Sequence, residues 1–155
     1  ILSGLVGSEM CIRDRQKILI CGAGRVGMSI TEHLSNEGFD ITVIDSDTEA
    51  IHRVTELYDV QGVLGLASYP NVLEDAGIKD ADMIIAVTRN DEINMLICQI
   101  AFSIFKIGKK IARIRSQDYL NPKFTRVYNK ENLPIDVKSD SRFAVVQCPC
   151  RRPCP

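Results

Sequence analysis

Three glycines spaced Gly22-Ala-Gly24-Arg-Val-Gly27, followed 18 positions later by Asp45, are the residues of this chain best suited to chemistry. The chemistry is recognition of a phosphorylated ribonucleoside. Gly22 permits a tight turn, Gly24 lets backbone approach a pyrophosphate, and Gly27 lets the following helix pack closely on the strand. A helix that starts there offers free N–H groups and a positive dipole end to phosphates. The Asp45 carboxylate can accept hydrogen bonds from ribose hydroxyls, and it repels the extra phosphate of NADP, which favours NAD. Arg25 can add charge at the phosphates or simply face solvent. Thr88 and Arg89 end an apolar strand, at the edge that lines the ligand crevice in this architecture. Arg113 lies within the apolar run Ile111-Ala-Arg-Ile114, where a guanidinium is costly unless it meets an anion. Arg115 shares its strand face, and one of the two can snorkel. Ser68 stays open between a contact with the adenosine end and a plain turn residue.

A glycine motif needs a strand before it, a helix after it and an acid at the end of the next strand. The pattern supplies all three. Lys17–Cys21 is an apolar run suited to a strand buried on both faces. Val26, Ile30 and Leu34 recur at helical spacing towards Gly38, and Ile41–Ile44 reads as the second strand. Asp47 caps a helix that reaches Tyr58. Gly62–Gly65, Met83–Val87 and Ile111–Ile114 read as further strands. Val72–Ala76, after Pro70, and Asp91–Ile107 read as helices. Tyr119–Tyr128 is a weaker helix and Pro134–Val137 a last strand. Strands alternating with helices predict an α/β fold, a Rossmann-type doubly wound parallel sheet in a single domain.

Bulk properties narrow the function classes. The chain has 155 residues, 45% hydrophobic and 25% charged, and a net charge of -1. That charge gives no case for nucleic acid as a partner. No apolar run approaches the ~18 residues of a membrane-spanning helix. Of the 6 cysteines, Cys21 and Cys98 read as small buried hydrophobes. Cys148, Cys150 and Cys154 alternate with prolines in a spacing that matches no common zinc pattern, and no metal site is expected. Lys106, Lys109 and Lys110 read as a solvated helix end. Leu5 to Arg15, LVGSEMCIRDR, resembles an in-frame translation of a sequencing adapter. Residues 1–15 are therefore expected to be a non-native leader, 16–137 the nucleotide-binding domain, and 138–155 a non-native or disordered tail.

The segments KILICGAGRVG, ITVIDSD, AGIKDADMIIAVTRNDEINMLICQIA and KIARIRSQDYL resemble the N-terminal nucleotide-binding domain of the TrkA family, related to the RCK (KTN) domains of potassium channels. The resemblance covers about Lys17 to Val137. It implies a regulatory subunit of a bacterial Trk potassium uptake system, peripheral on the cytoplasmic face of the membrane. It also implies NAD(H) as ligand, with ATP or ADP in related members, and a potassium-translocating membrane protein as partner. By matching position it carries phosphate contacts onto Gly22, Ala23, Gly24, Arg25 and Val26, the ribose contact onto Asp45, and further contacts onto Thr88, Arg89 and Arg113.

Two other functions compete. A small NAD-dependent oxidoreductase needs an acid/base beside the nicotinamide. Tyr119 and Lys123 have the Y-x-x-x-K spacing of short-chain dehydrogenases, but Pro122 between them disrupts a helix interior, so the pair reads as chance. A purely structural Rossmann remnant would carry the motif and bind nothing. Helix Asp91–Ile107 is apolar nearly all round, which predicts an assembly surface between copies of the domain.

Overall fold

The computed structural model describes residues 15–139. The expectations for a leader over 1–15 and for the cysteine-rich tail fall almost wholly outside that range. Strand β1 (Lys17–Cys21) leads through the glycine loop to helix α1 (Arg25–Asn36) and strand β2 (Asp40–Asp45). Helix α2 (Thr48–Leu57), strand β3 (Gln61–Leu64) and helix α3 (Pro70–Asp75) follow. Strand β4 (Met83–Ala86), helix α4 (Asp91–Ser103) and strand β5 (Lys109–Arg113) complete the second half. A short α5 (Gln117–Leu120), a 3-10 segment (Pro122–Val127) and strand β6 (Val137–Ser139) close the described chain.

All five strand pairings are parallel, and the sheet order is β3-β2-β1-β4-β5-β6. The chain runs outward from β1 through β2 to β3, then returns to the other side of β1 as β4. That reversal is the topological switch point, and in such sheets the ligand crevice lies at the carboxyl ends beside it. Side chains alternate between two cores because successive strand residues face opposite sides of the sheet. Ile18, Ile20, Ile41, Val43 and Ile85 pack with Ile30 and Leu34 of α1 and Val54 of α2. Leu19, Cys21, Ile84, Ala86 and Ala112 pack with Leu73 of α3 and Ile97, Cys98 and Ala101 of α4. Helices thus cover both faces, as the continuous apolar strands require.

The structure corrects four expectations. The weak helix over Tyr119–Tyr128 is two elements, α5 and the 3-10 segment, because Pro122 cannot continue α5. The last strand starts at Val137, not Pro134, and runs two residues past the boundary set at 137. Ile135 is buried instead as a plug in the core, and Asp136 is bound to Lys110. Lys110 is no solvated lysine: it is 3% exposed. Its Nζ donates to the carbonyls of Ile107 (3.0 Å) and Gly108 (3.2 Å) and lies 3.2 Å from Asp136 Oδ2. Helix α4 stops at Ser103, short of Ile107, and Lys106 then turns the chain with a left-handed φ of 56°.

Candidate functional site

The glycine loop is set by contacts that leave no room for side chains at two of its three glycines. Gly22 has φ 115°, and a Cβ there would stand 2.9 Å from the carbonyl oxygen of Val87. A Cβ on Gly27 would stand 1.8 Å from the carbonyl oxygen of Gly22, so the first turn of α1 lies directly on the end of β1. Gly24 differs: a Cβ on it would meet nothing within 4 Å. Gly22 and Ala23 are buried while Gly24 and Arg25 are exposed, so the loop opens outward at Gly24.

Gly24 is also the N-cap of α1, which therefore has no side-chain cap, and no acid lies in its first turn. Helices α2 and α4 are built differently. Asp47 accepts from Glu49 N–H, Asn90 accepts from the N–H groups of Glu92 and Ile93, and both helices carry acids in the first turn. At α1 the first-turn N–H groups have no side-chain cap and Gly24 borders open space, a favourable setting for an anion.

Asp45 ends β2 and is half-buried. Its Oδ2 accepts from Ala23 N–H at 2.6 Å and its Oδ1 from Asp47 N–H at 2.9 Å. The carboxylate thus ties the end of β2 to the glycine loop, a role the sequence reading missed. Each oxygen keeps lone-pair capacity for a hydroxyl donor. Ser68 lies half-buried in the turn that follows β3, three residues past Gly65, whose N–H donates to Asp45 O.

Thr88 follows β4 beside the loop; its neighbour Val87 donates its N–H to Cys21 O. Arg113 ends β5, and its Nε is buried without a hydrogen-bond partner among the described residues. Arg89 is exposed, and its carbonyl accepts from Arg115 Nη2. The structure therefore brings Gly22 to Gly27, Asp45 and Thr88 together around the switch point. It sets Arg113 one strand further along the same carboxyl edge. Arg25 and Arg89 stand at the rim as exposed side chains.

Two residues absent from the predicted site bind this edge together. Asn94, fully buried on α4, holds Thr88 and the Arg113 carbonyl. Asp91 is 7% exposed. Its Oδ2 accepts from the N–H groups of Arg115 and Ser116, both at 2.8 Å, and its Oδ1 lies 3.6 Å from Arg115 Nε. The sequence reading took Asp91 only as the first residue of its helix. Polar residues on the sheet-facing side of an otherwise apolar helix were the available signal.

The Tyr119–Lys123 pair does not share a helix, because α5 ends at Leu120 and Lys123 lies in the 3-10 segment. Tyr119 OH donates to Glu92 Oε1 at 2.8 Å, and this bond holds the phenol above its ordinary pKa. A dehydrogenase base needs the opposite shift.

The TrkA-N domain family model matches residues 18–130. The chain is 43% identical over 136 residues to the Trk system potassium uptake protein TrkA of Azorhizobium caulinodans, covering 88% of this chain and 30% of that protein. With the TrkA of Halomonas elongata it is 47% identical over 121 residues, covering 78% of this chain and 26% of that protein. This chain thus spans less than a third of the length of these relatives. Among solved structures, the TrkA-N domain of the Escherichia coli inner membrane protein ybaL superposes with TM-score 0.69 at 21% identity, over 83% of this chain and 89% of that one. The Shewanella denitrificans Kef CTD in AMP-bound form gives 0.64 at 22% identity, over 83% and 72%. The GsuK channel bound to NAD gives 0.59 at 20% identity, over 68% and 19%. These likenesses establish the fold, and with the family match over most of its length, the chain belongs to the TrkA-N domain family.

Proposed function

We propose that this domain binds NAD(H) at the carboxyl ends of β1, β2, β4 and β5 as a regulatory ligand. The observation that carries the reading is the open cradle at Gly24, where an uncapped helix N-terminus meets space that a side chain would fill. The residues around it suit a dinucleotide. Gly22 and Ala23 would shape the turn, their N–H groups being given to Ile44 O and Asp45 Oδ2, and the N–H groups from Gly24 to Gly27, with Arg25, would hold the pyrophosphate. Asp45 would accept from the adenosine ribose hydroxyls and disfavour a 2′-phosphate. Arg113, with its unpartnered Nε, and Thr88 and Arg89 would supply further polar contacts.

The ligand acts here as a signal and not as a redox reagent, because the acid/base pair that hydride chemistry would need is split between two elements. ATP or ADP is the second ligand class, favoured by neighbours of the same fold described as AMP-bound and ADP-bound. The partner of the whole protein is a Trk-type potassium-translocating membrane protein, a reading supported by relatives named for Trk potassium uptake. The domain works in the cytoplasm, peripheral on the membrane, and as a homo-oligomer. No helix among the described residues is long and apolar enough to cross a membrane.

Calorimetric titration with NADH, NAD⁺, NADPH, ATP and ADP tests the reading. Saturable binding of NADH, with NADPH weaker, is expected. Absence of binding by every nucleotide would leave the domain a structural Rossmann remnant.

A further inference from the structure

We infer that Asn94 is a positioning residue for the nucleotide: it sets affinity by clamping the carboxyl ends of β4 and β5 to each other. The inference rests on the nucleotide reading above. The backbone ladder between these strands ends at the pair Ala86 and Ala112. Past that point the strands part, and Thr88 and Arg113 are joined by a side chain instead. Asn94 Oδ1 accepts from Thr88 N–H at 2.8 Å and from Thr88 Oγ1 at 2.7 Å. Its Nδ2 donates to Arg113 O at 2.8 Å and to Thr88 O at 3.3 Å.

A wholly buried amide costs free energy unless its groups are bonded, and an apolar residue would fill the same space in an apolar helix. What the amide adds is geometry. It fixes the backbone from which the Thr88 hydroxyl and the Arg113 guanidinium extend, in a crevice where preorganised groups bind better than groups that must be ordered by the ligand. The Arg113 side chain needs such a fixed base, since its buried Nε has no hydrogen-bond partner among the described residues. Asp91, one turn earlier on α4, extends the clamp to Arg115 and Ser116. The first turn of α4 therefore grips the end of β5 at successive points.

The test is a double-mutant cycle read as the NADH dissociation constant of the full chain. Loss of the clamp in Asn94→Ala should weaken binding about tenfold, the scale of one lost hydrogen bond to a charged group. Arg113→Ala should do the same. If Asn94 acts through Arg113, the double variant should lie within about threefold of either single one, whereas independent sites would multiply to about a hundredfold. The Asn94→Ala, Asp45→Ala pair is the control, since Asp45 ends β2 on the far side of β1, and its effects should multiply. A general loss of structure would multiply with both partners.

Asn94→Asp keeps the shape and the acceptor oxygen but loses both donors, and it should weaken binding in the same direction. In the wild type, hydrogen exchange at the Thr88 amide should slow when NADH saturates the site, because ligand and clamp stabilise one arrangement. A folded Asn94 variant that binds NADH as tightly as wild type, multiplication with Arg113→Ala, or unchanged Thr88 exchange would each overturn the inference alone. If wild type binds no nucleotide, the underlying reading falls first and this one with it.

Discussion

The two glycines that bracket Arg25 and Val26 separate stability from binding. Gly27→Ala drives a methyl group into the carbonyl of Gly22, where a Cβ would come within 1.8 Å. Overpacking of this kind costs about 1–3 kcal/mol or more, so the variant should unfold at clearly lower urea. Gly24 has φ -71° and ψ -172°, open to any residue, and faces empty space. Gly24→Ala should therefore keep its stability within about 0.5 kcal/mol. Its NADH affinity should nonetheless fall, because the methyl group occupies the cradle. Equal affinity in wild type and Gly24→Ala would move the phosphate site elsewhere. Asp45→Ala should weaken NADH binding by about 1–3 kcal/mol through the lost ribose bonds. It also frees Ala23 N–H, so stability must be measured beside affinity.

At the scale of elements, β1 and α4 meet through two buried thiols. Burial raises the Cys21 thiol pKa, and the nearby Cys98 adds to the shift. Burial pushes Cys98 from the ordinary 9.0 up to about 12, with Lys110 partly opposing. A raised folded-state pKa stabilises the fold fully below the unfolded value. As pH rises above 9.0 the unfolded chain releases these protons while the folded chain keeps them, so stability falls across the window from 9.0 to about 12. The urea midpoint should drop between about pH 8 and about pH 10.5, and Cys98→Ala should show a shallower drop. Identical slopes would mean that Cys98 loses its proton at the same pH in the folded and unfolded states. Both thiols should also resist alkylation at neutral pH until denaturant is added, since the thiolate is the reactive form.

The whole molecule bears on assembly. Helix α4 looks apolar all round in sequence, yet most of that surface is covered within the chain. Ile97, Cys98 and Ala101 are buried, and Ile93, Met95 and Ile100 pack partly against the same core. Residues of the C-terminal segment close over the helix: Tyr119 bonds Glu92, and Tyr128 OH lies 3.8 Å from Met95 Sδ. Leu96 at 45% exposure and Ile104 at 56% remain outward, with Phe124 at 58% and Val127 at 50% on the covering segment. We predict that this smaller surface carries self-association. Sedimentation equilibrium at tens of micromolar should show dimers, and Leu96→Lys should shift them to monomers. A wild-type monomer would count against it. Because the crevice and α4 meet at Thr88 to Asn94, nucleotide should change the dimer dissociation constant about 5- to 150-fold, the usual size of reciprocal coupling. Equal association with and without saturating NADH would leave the ligand uncoupled from assembly.

The chain's own pattern determined the alternation of strands and helices, the glycine turn and the acid after β2. Each of these is local: a run of apolar residues, a spacing of three glycines, an acid at a strand end. The Pro122 break was legible for the same reason, since a ring without an N–H ends a helix wherever it falls. Tertiary structure alone decided the rest. Nothing near Lys110 in sequence announces Asp136, whose carboxylate makes burial of that lysine tolerable. Ile135 left the predicted strand because the core needed a plug there, and β6 began two residues later. Asn94 and Asp91 read as ordinary helix residues until β5 and the residues just after it, 19 to 25 positions away, present Arg113 O and the N–H groups of Arg115 and Ser116 to them. Periodicity reports which face of an element is apolar. It carries no record of which distant backbone groups a polar side chain will meet, because those partners are set by the packing of whole elements and not by spacing along one of them.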